Sequence, residues 1–303
     1  MSRPSFKAAA VTVEVPATSA NLGPGFDTFG LALEMRDILV AQVLDEATLD
    51  IDIAGEEAEN VPRNAKHLVV KAMYAAFDAM GGKPRGLALR CGNTIPHGRG
   101  LGSSAAAIVG GMVLARGLVL GGNERLSDEE LLALATQLEG HPDNLAAALY
   151  GGATIAWMEG ETGKAVRLYV DPTITVTAFI PTSAVATSKA RKLLPDSVAW
   201  SDAIANVSRS TLLTHALSQR PDLLFTATED HLHQENRKSA MPRSFALLNK
   251  LRADGHAAVI SGAGPTVVVL HQAGEEAKWE SYAGSSFSVK SLPIAAEGAR
   301  IAK

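Results

Sequence analysis

The run Pro96-His-Gly-Arg-Gly-Leu-Gly-Ser-Ser-Ala-Ala106 constrains this chain more than any other segment. Gly98, Gly100 and Gly102 interrupt both helix and strand, and they sit between an apolar run at residues 87–91 and the small residues that follow Ser104. The order is therefore strand, glycine loop, helix. Amides at a helix start lack partners within the helix, and the macrodipole adds partial positive charge there, so this order suits phosphate oxygens. The glycines permit positive φ and close backbone approach, while the hydroxyls of Ser103 and Ser104 can cap the helix or reach a bound Mg²⁺. The plainer reading is an ordinary glycine-rich turn. The segment matches neither common nucleotide fingerprint, because it lacks the lysine of a P-loop and the glycine spacing of a dinucleotide fold.

Around this loop the patterning alternates strands and helices. Residues 11–15 alternate apolar and polar as a half-buried strand that Pro16 ends before a loop of small and polar residues. Strands are predicted at 39–43, 49–53 and 87–91, with a helix at 66–80 stopped by Gly81-Gly82. Ser127-Asp-Glu-Glu130 forms a capping box that opens a helix to about residue 138, and Gly140 stops it. An alanine-rich helix follows His141-Pro-Asp-Asn144 and ends at Gly151-Gly152. Strands are then expected at 153–158, 166–170 and 174–180. The second half pairs helices at 201–218, 221–231 and 244–253 with strands at 257–261, 266–270 and 286–292, an α+β pattern. We expect two domains, 1–165 and 166–303.

With 303 residues and 47% hydrophobic content, the chain can bury a large core. A net charge of −4 with both signs scattered gives no basic field for nucleic acid or an anionic membrane, so small molecules are the expected partners. The first seven residues are not followed by an apolar segment of signal-peptide type. The most apolar stretch, 108–120, contains Arg116 and falls short of the roughly 20 residues needed to span a bilayer. The single cysteine, Cys91, can form neither an intrachain disulfide nor a multi-cysteine metal site. A cytoplasmic protein is expected.

Two further motifs flank the loop: Pro16-Ala-Thr-Ser-Ala-Asn-Leu-Gly-Pro-Gly-Phe-Asp-Thr-Phe-Gly30 and Gly262-Ala-Gly-Pro-Thr266. Taken alone, Asn21 and Asp27 read as turn residues and the third motif as a hairpin. Together and in this order, the three resemble the motifs of the GHMP kinases, the first in the form carried by the homoserine kinase branch. The resemblance spans nearly the whole chain and is weakest at 193–219. It implies an α+β fold with an N-terminal ribosomal protein S5 domain 2-like unit, a C-terminal ferredoxin-like unit and ATP between them. The implied activity is ATP-dependent phosphorylation of the L-homoserine hydroxyl to O-phospho-L-homoserine, in threonine synthesis. The implied cofactors are ATP and Mg²⁺; relatives are often dimers, so a homodimer is an expectation.

The same resemblance assigns residues. ATP would be held by Ile95, Pro96, His97, Gly98, Arg99, Gly100, Leu101, Gly102, Ser103, Ser104 and Ala105. The substrate would meet Asn21, Asp27, His141 and Asn144, with Gly264 carried in the same set. A carboxylate at Asp27 suits an ammonium group. The segments Thr187-Ser-Lys-Ala-Arg191 and Asp230-His-Leu-His-Gln-Glu-Asn-Arg237 resemble those that bind the substrate carboxylate, which adds Thr187, Arg191 and Arg237. His231 and His233 show no metal-site pattern and are read as structural.

Mg²⁺ calls for hard oxygens, and Ser104 with Glu139 is the expected pair. Some relatives place the metal glutamate farther upstream, where this chain has Ala133 and Ala135, and Glu130 competes despite its capping-box position. Asn144 stands where mevalonate kinase has an aspartate, and an amide cannot accept a proton as a general base. Catalysis would then rest on positioning by Asn144, Asp27, Ser104 and Glu139, with Asp27 or Asp143 open as a base. The competing functions are another GHMP kinase of the mevalonate or shikimate type and a non-catalytic nucleotide-binding relative.

Overall fold

The computed structural model describes residues 3–275 and 278–302, so the outer limits of the two expected domains, residues 1 and 303, lie outside the described residues. The first half runs β1 (Val11–Asn21), β2 (Gly25–Leu44), β3 (Leu49–Gly55), α1 (Leu68–Ala79), β4 (Gly86–Asn93), α2 (Ser103–Leu118), α3 (Gly122–Arg125), α4 (Asp128–Glu139), α5 (Asp143–Tyr150), β5 (Ala153–Glu159) and β6 (Thr162–Leu168). The second half runs β7 (Ile174–Pro181), α6 (Thr187–Arg191), α7 (Trp200–Ser218), α8 (Leu224–Ala227), α9 (Pro242–Ala253), β8 (Ala257–Ile260), β9 (Val267–Gln272), α10 (Glu280–Ala283), β10 (Phe287–Ser291) and β11 (Arg300–Ile301).

The strands form two sheets. In the first, the order is β11-β1-β2-β4-β3, with β5 joined to β2 and β6 to β5. Its one parallel pair among the described residues is β3 with β4. The second sheet has the order β10-β7-β9-β8, which is 4-1-3-2 in the chain order of its own strands. That antiparallel order, with α6 to α9 in the chain between β7 and β8 and α10 between β9 and β10, is the split β-α-β plan of a ferredoxin-like unit. The fold is α+β, as expected.

The second sheet is buried on both faces, which explains the unbroken apolar run in β9. Val268 and Leu270 join the large core with Val176 and Leu217, while Val267 and Val269 face the other way, into a smaller core with Phe179, Phe245 and Leu248. The period of two sorts alternate side chains to opposite sides, and helices cover both.

Four expectations need correction. The strand at 11–15 does not end at Pro16 but continues to Asn21, because a register shift between Pro16 and Ala17 accommodates the residue that lacks an N–H. The helix expected at 221–231 is a short 3₁₀ turn followed by the four residues of α8. It stops because the carboxylate of Asp230 accepts from the backbone N–H groups of Leu232, His233 and Gln234. The strand expected at 166–170 starts earlier, and β6 pairs with β5 throughout, so a boundary at 165/166 would cut it. The C-terminal end also returns to the first sheet, where Ile301 lies opposite Val13.

Cys91 lies buried in β4, and burial pushes its thiol up to about 12, which makes it unreactive. Among the described residues no helix is long and apolar enough to cross a membrane.

Helix α2, the one that follows the glycine loop, is set by close packing. A Cβ added to Gly111 would fall 2.6 Å from the Val69 carbonyl oxygen and 3.1 Å from the Ala72 Cβ, both on α1. Gly111→Val is therefore expected to lower the unfolding free energy by about 2 kcal/mol or more through overpacking, read from urea denaturation. An unchanged midpoint would show that α1 and α2 are not held in this contact.

Candidate functional site

The glycine loop crosses from β4 to α2 with Gly98, Gly100 and Gly102 all at positive φ. Two of these positions leave no room for a side chain. A Cβ on Gly100 would lie 2.3 Å from the Ser261 carbonyl oxygen, and one on Gly102 would lie 1.9 Å from the Thr18 hydroxyl. Gly102 is also the N-cap of α2, and no side chain caps this helix start. The expected capping by Ser103 or Ser104 is thus replaced by backbone alone, and the first-turn amides stay available for an anion.

The inner end of β1 ties this loop to the other motifs. Thr18 N–H donates to Leu101 O, and its hydroxyl donates to Asn144 Oδ1 at 2.8 Å. Ser261 Oγ contacts both Ser19 Oγ, at 2.8 Å, and Gly100 O, at 2.6 Å. Gly262 N–H donates to Ala20 O, and Asn21 Nδ2 donates to Gly262 O. Asn21 Oδ1 in turn accepts from Asp27 N–H. Three segments far apart in sequence meet within four residues of one strand.

A cavity of about 150 Å³ opens at this meeting point. Gly98, Gly100, Gly102, Ser103, Ser104 and Ala105 line it from the loop side, and Asn21, Asp27, Glu139, His141, Asp143, Asn144, Thr187, Arg191 and Arg237 line much of the remainder. Of the residues expected in the site, Gly264 is displaced: Gly262 and Ala263 line the cavity, while Gly264 backs onto Met241 and Gly100. Ile95, Pro96 and Leu101 are buried supports. Arg99 spans the loop to β7 by donating to His97 O and Thr182 O.

On one wall, the Ser104 hydroxyl donates to Glu139 Oε2 at 2.7 Å. Glu130 lies elsewhere, closing the capping box with Ser127, whose N–H and hydroxyl lower its carboxyl below the ordinary range. The structure therefore brings Glu139, and not Glu130, to the loop. Among the described residues no cluster of three His, Cys, Asp or Glu side chains stands ready for a metal. A serine hydroxyl and a carboxylate side by side at a phosphate loop do provide two hard oxygens that suit Mg²⁺, with phosphate oxygens to complete the shell.

Next to it, Asp143 is almost fully buried and its Oδ1 accepts from Asn144 N–H and faces His141 Nδ1 at 2.9 Å. That contact raises the His141 pKa above the ordinary histidine value, against the opposing effect of burial. Asp143 is thus committed to holding its neighbours. Thr18 engages the carbonyl oxygen of Asn144, and the Asn144 amide NH₂, which has two protons, donates a long 3.5 Å bond to Asp143 Oδ1 and keeps one proton for the cavity.

The opposite wall carries charge. Arg191 makes a bidentate pair with Asp27, at 2.9 and 2.7 Å, and Asp27 holds a left-handed φ of 54°. Arg237 is buried and donates to His233 Nδ1 and Gly262 O, while its Nε has no partner. Burial, then the neighbouring charge of Arg191, push the Arg237 pKa down, and Asp27 pushes it back. Burial also lowers the His233 pKa, so its ring is neutral, with Nε2–H donating to Gly23 O and Nδ1 accepting from Arg237. His233, read as structural from sequence, sets the direction of Arg237. The Phe26 ring lies under both guanidinium groups, at 5.7 and 5.3 Å.

A second cavity of about 300 Å³ shares Ser103 and Ser104 with the first. Its wall includes the apolar Leu39, Val61, Pro62, Leu68 and Val69, with the polar Asp37, Lys66, His67 and His97 among them. Sequence reasoning did not single out residues 61–69. No motif marks them, since apolar residues ahead of a helix are common; only the fold places them beside the loop.

The comparisons agree with this geometry. The family described as GHMP kinases N terminal domain matches residues 67–152, and that described as GHMP kinases C terminal matches residues 213–281. The chain is 54% identical over 301 residues, 99% of its length and 97% of the relative's, to a homoserine kinase of Streptomyces coelicolor. A crystal structure of homoserine kinase from Cytophaga hutchinsonii superposes with a TM-score of 0.83 at 24% identity, covering 98% of both chains. A putative homoserine kinase from Listeria monocytogenes gives 0.75 at 28% identity, covering 97% of this chain and 99% of its own. The first motif, the glycine loop and the third motif around one cavity, together with this similarity along the whole length, place the chain among the homoserine kinases of the GHMP kinase family.

Proposed function

We propose that this chain transfers the γ-phosphoryl group of ATP to the side-chain hydroxyl of L-homoserine, giving O-phospho-L-homoserine for threonine synthesis. The observation that carries the reading is the single cavity in which an uncapped helix start and glycine loop face the Asp27 carboxylate and two arginines, Arg191 and Arg237. A polyphosphate and an α-amino acid are the two chemistries those walls recognise.

In this reading the amides of residues 98–105 hold the phosphates, and the second cavity takes the nucleoside. Arg191 and Arg237 receive the substrate carboxylate and Asp27 its ammonium group. Asn144, fixed by Thr18, donates from its amide to the acceptor hydroxyl and sets its line of attack. The Asn144 amide cannot serve as a base, and Oδ1 of Asp143 is engaged by His141 and the Asn144 N–H, so the proton passes to a phosphate oxygen, to water or to the other oxygen of Asp143. Ser104 and Glu139 would hold Mg²⁺, which neutralises charge on the phosphates when bound. Cytoplasmic location and a homodimer belong to the same proposal; light scattering on the purified chain should give the mass of two chains, and the mass of one would remove the dimer.

Purified protein with Mg²⁺-ATP is expected to release ADP with L-homoserine and not with mevalonate or shikimate. Turnover only with another acceptor would keep the kinase and remove the amino acid reading; no turnover with any of them would leave a nucleotide-binding protein. Glu139→Gln is expected to raise the Mg²⁺ concentration needed for half-maximal rate, whereas Glu130→Gln, whose amide oxygen can still close the capping box with Ser127, should leave that concentration unchanged. The opposite pattern would transfer the metal role to Glu130.

A further inference from the structure

The walls of the cavity that would receive an amino acid already hold one another. Asp27 and Arg191 form a bidentate carboxylate–guanidinium pair, the geometry an α-amino acid would otherwise make with each of them separately. The two members are held differently. Asp27 is the third residue of β2, just past the β1–β2 turn, with positive φ, and its N–H is fixed by Asn21, a residue bonded in turn to Gly262. Arg191 ends the five-residue helix α6, within a largely exposed stretch between β7 and α7. The side chains of the pair are 38% and 34% accessible, so water and ligand reach it.

Building on the proposed function, we propose that this ion pair stands in for the substrate's own zwitterion and makes the site selective for ligands that carry both charges. An entering amino acid gives its ammonium to Asp27 and its carboxylate to Arg191. One ion pair is exchanged for two, in the alternating order carboxylate, ammonium, carboxylate, guanidinium. Arg191 is the member that yields, because its helix is short and exposed whereas Asp27 is pinned by the turn. Arg237 does not compete for Asp27, since it is engaged by His233 and Gly262.

A ligand with only one of the charges fares differently. An amino alcohol must separate the pair to reach Asp27 and leaves Arg191 without a partner; a hydroxy acid does the reverse. Each restores one contact for the one it breaks. Selectivity therefore exceeds the sum of the two separate recognitions, and it arises from the protein's internal contact rather than from a shape difference in the pocket.

The consequence is a change of sign. Removing Arg191 should weaken L-homoserine yet strengthen a ligand that lacks the carboxylate, because Asp27 is then free. Binding of 3-amino-1-propanol and of 4-hydroxybutyrate to the full chain with Mg²⁺-ADP would be measured by calorimetry in the native protein, Arg191→Gln, Asp27→Asn and Arg237→Gln. Arg191→Gln is expected to tighten the amino alcohol about fivefold, which is about 1 kcal/mol, and Asp27→Asn to tighten the hydroxy acid by a similar factor. Arg237→Gln removes an equal charge without touching Asp27 and should change the amino alcohol less than about twofold. Equal tightening in both arginine variants would reduce the effect to net charge, and no tightening in Arg191→Gln would show that the pair does not oppose binding; either result overturns the proposal. If Arg237→Gln does not fold, Arg191→Lys replaces it: it keeps the charge and loses the fork, so tightening there reports the pair itself, and its absence counts against it. Turnover of L-homoserine by the native protein is scored separately, so a failed substrate assignment is distinguishable from a failed ion-pair mechanism.

Discussion

The last four residues of β1 are the constraint on which the site depends. They bring the turn before β2, the glycine loop before α2 and the turn between β8 and β9 to one point, through bonds from Thr18, Ser19, Ala20 and Asn21. None of these bonds is strong on its own, since a typical hydrogen bond in a protein is worth about 1 kcal/mol net. Their effect is geometric. With the inner end of β1 buried against both turns, the loop cannot shift without disturbing the third motif, and the helix start of α2 keeps its aim. Phosphoryl transfer requires little covalent work from a protein and a great deal of positioning, so a rigid junction of this kind is what the reaction calls for.

Charge is arranged around that junction in three tiers. The uncapped start of α2 supplies partial positive charge without a side chain. Ser104 and Glu139 place two hard oxygens beside it. Farther out, a neutral His233 and the Gly262 carbonyl steer a buried Arg237, while Arg191 ends a short helix and pairs with Asp27. One arginine is thus held by neutral partners and the other by the Asp27 carboxylate. Asp143, which a reading of carboxylates alone would consider as a base, is occupied on one oxygen by His141 and the Asn144 amide.

Much of this was legible in the sequence because it is local. The glycine loop, the capping box at Ser127 and the helix stop at Gly140 each follow from a few neighbouring residues, and the order of strands and helices came through with them. What was not legible depends on contacts across the fold. Pro16 looks like the end of a strand until the register shift beside it is known. The helix expected past Ala227 is broken by Asp230, whose capture of three amides has no sequence mark beyond a carboxylate. The pairing of Thr18 with Asn144 spans 126 residues, and neither residue announces the other. The same holds for the cavity around Val61 and Leu68, which acquires meaning only from the loop beside it.

The most direct test of the central claim is the identity of the phosphorylated atom. Phosphorus NMR on the products of L-homoserine and Mg²⁺-ATP should show a phosphate monoester whose phosphorus couples to the two protons of the side-chain carbon that bears oxygen. A signal of an acyl phosphate would mean that the carboxylate, and not the hydroxyl, faces the loop. Inorganic phosphate alone would mean that the junction binds and hydrolyses ATP without placing an acceptor, and either outcome would contradict the account.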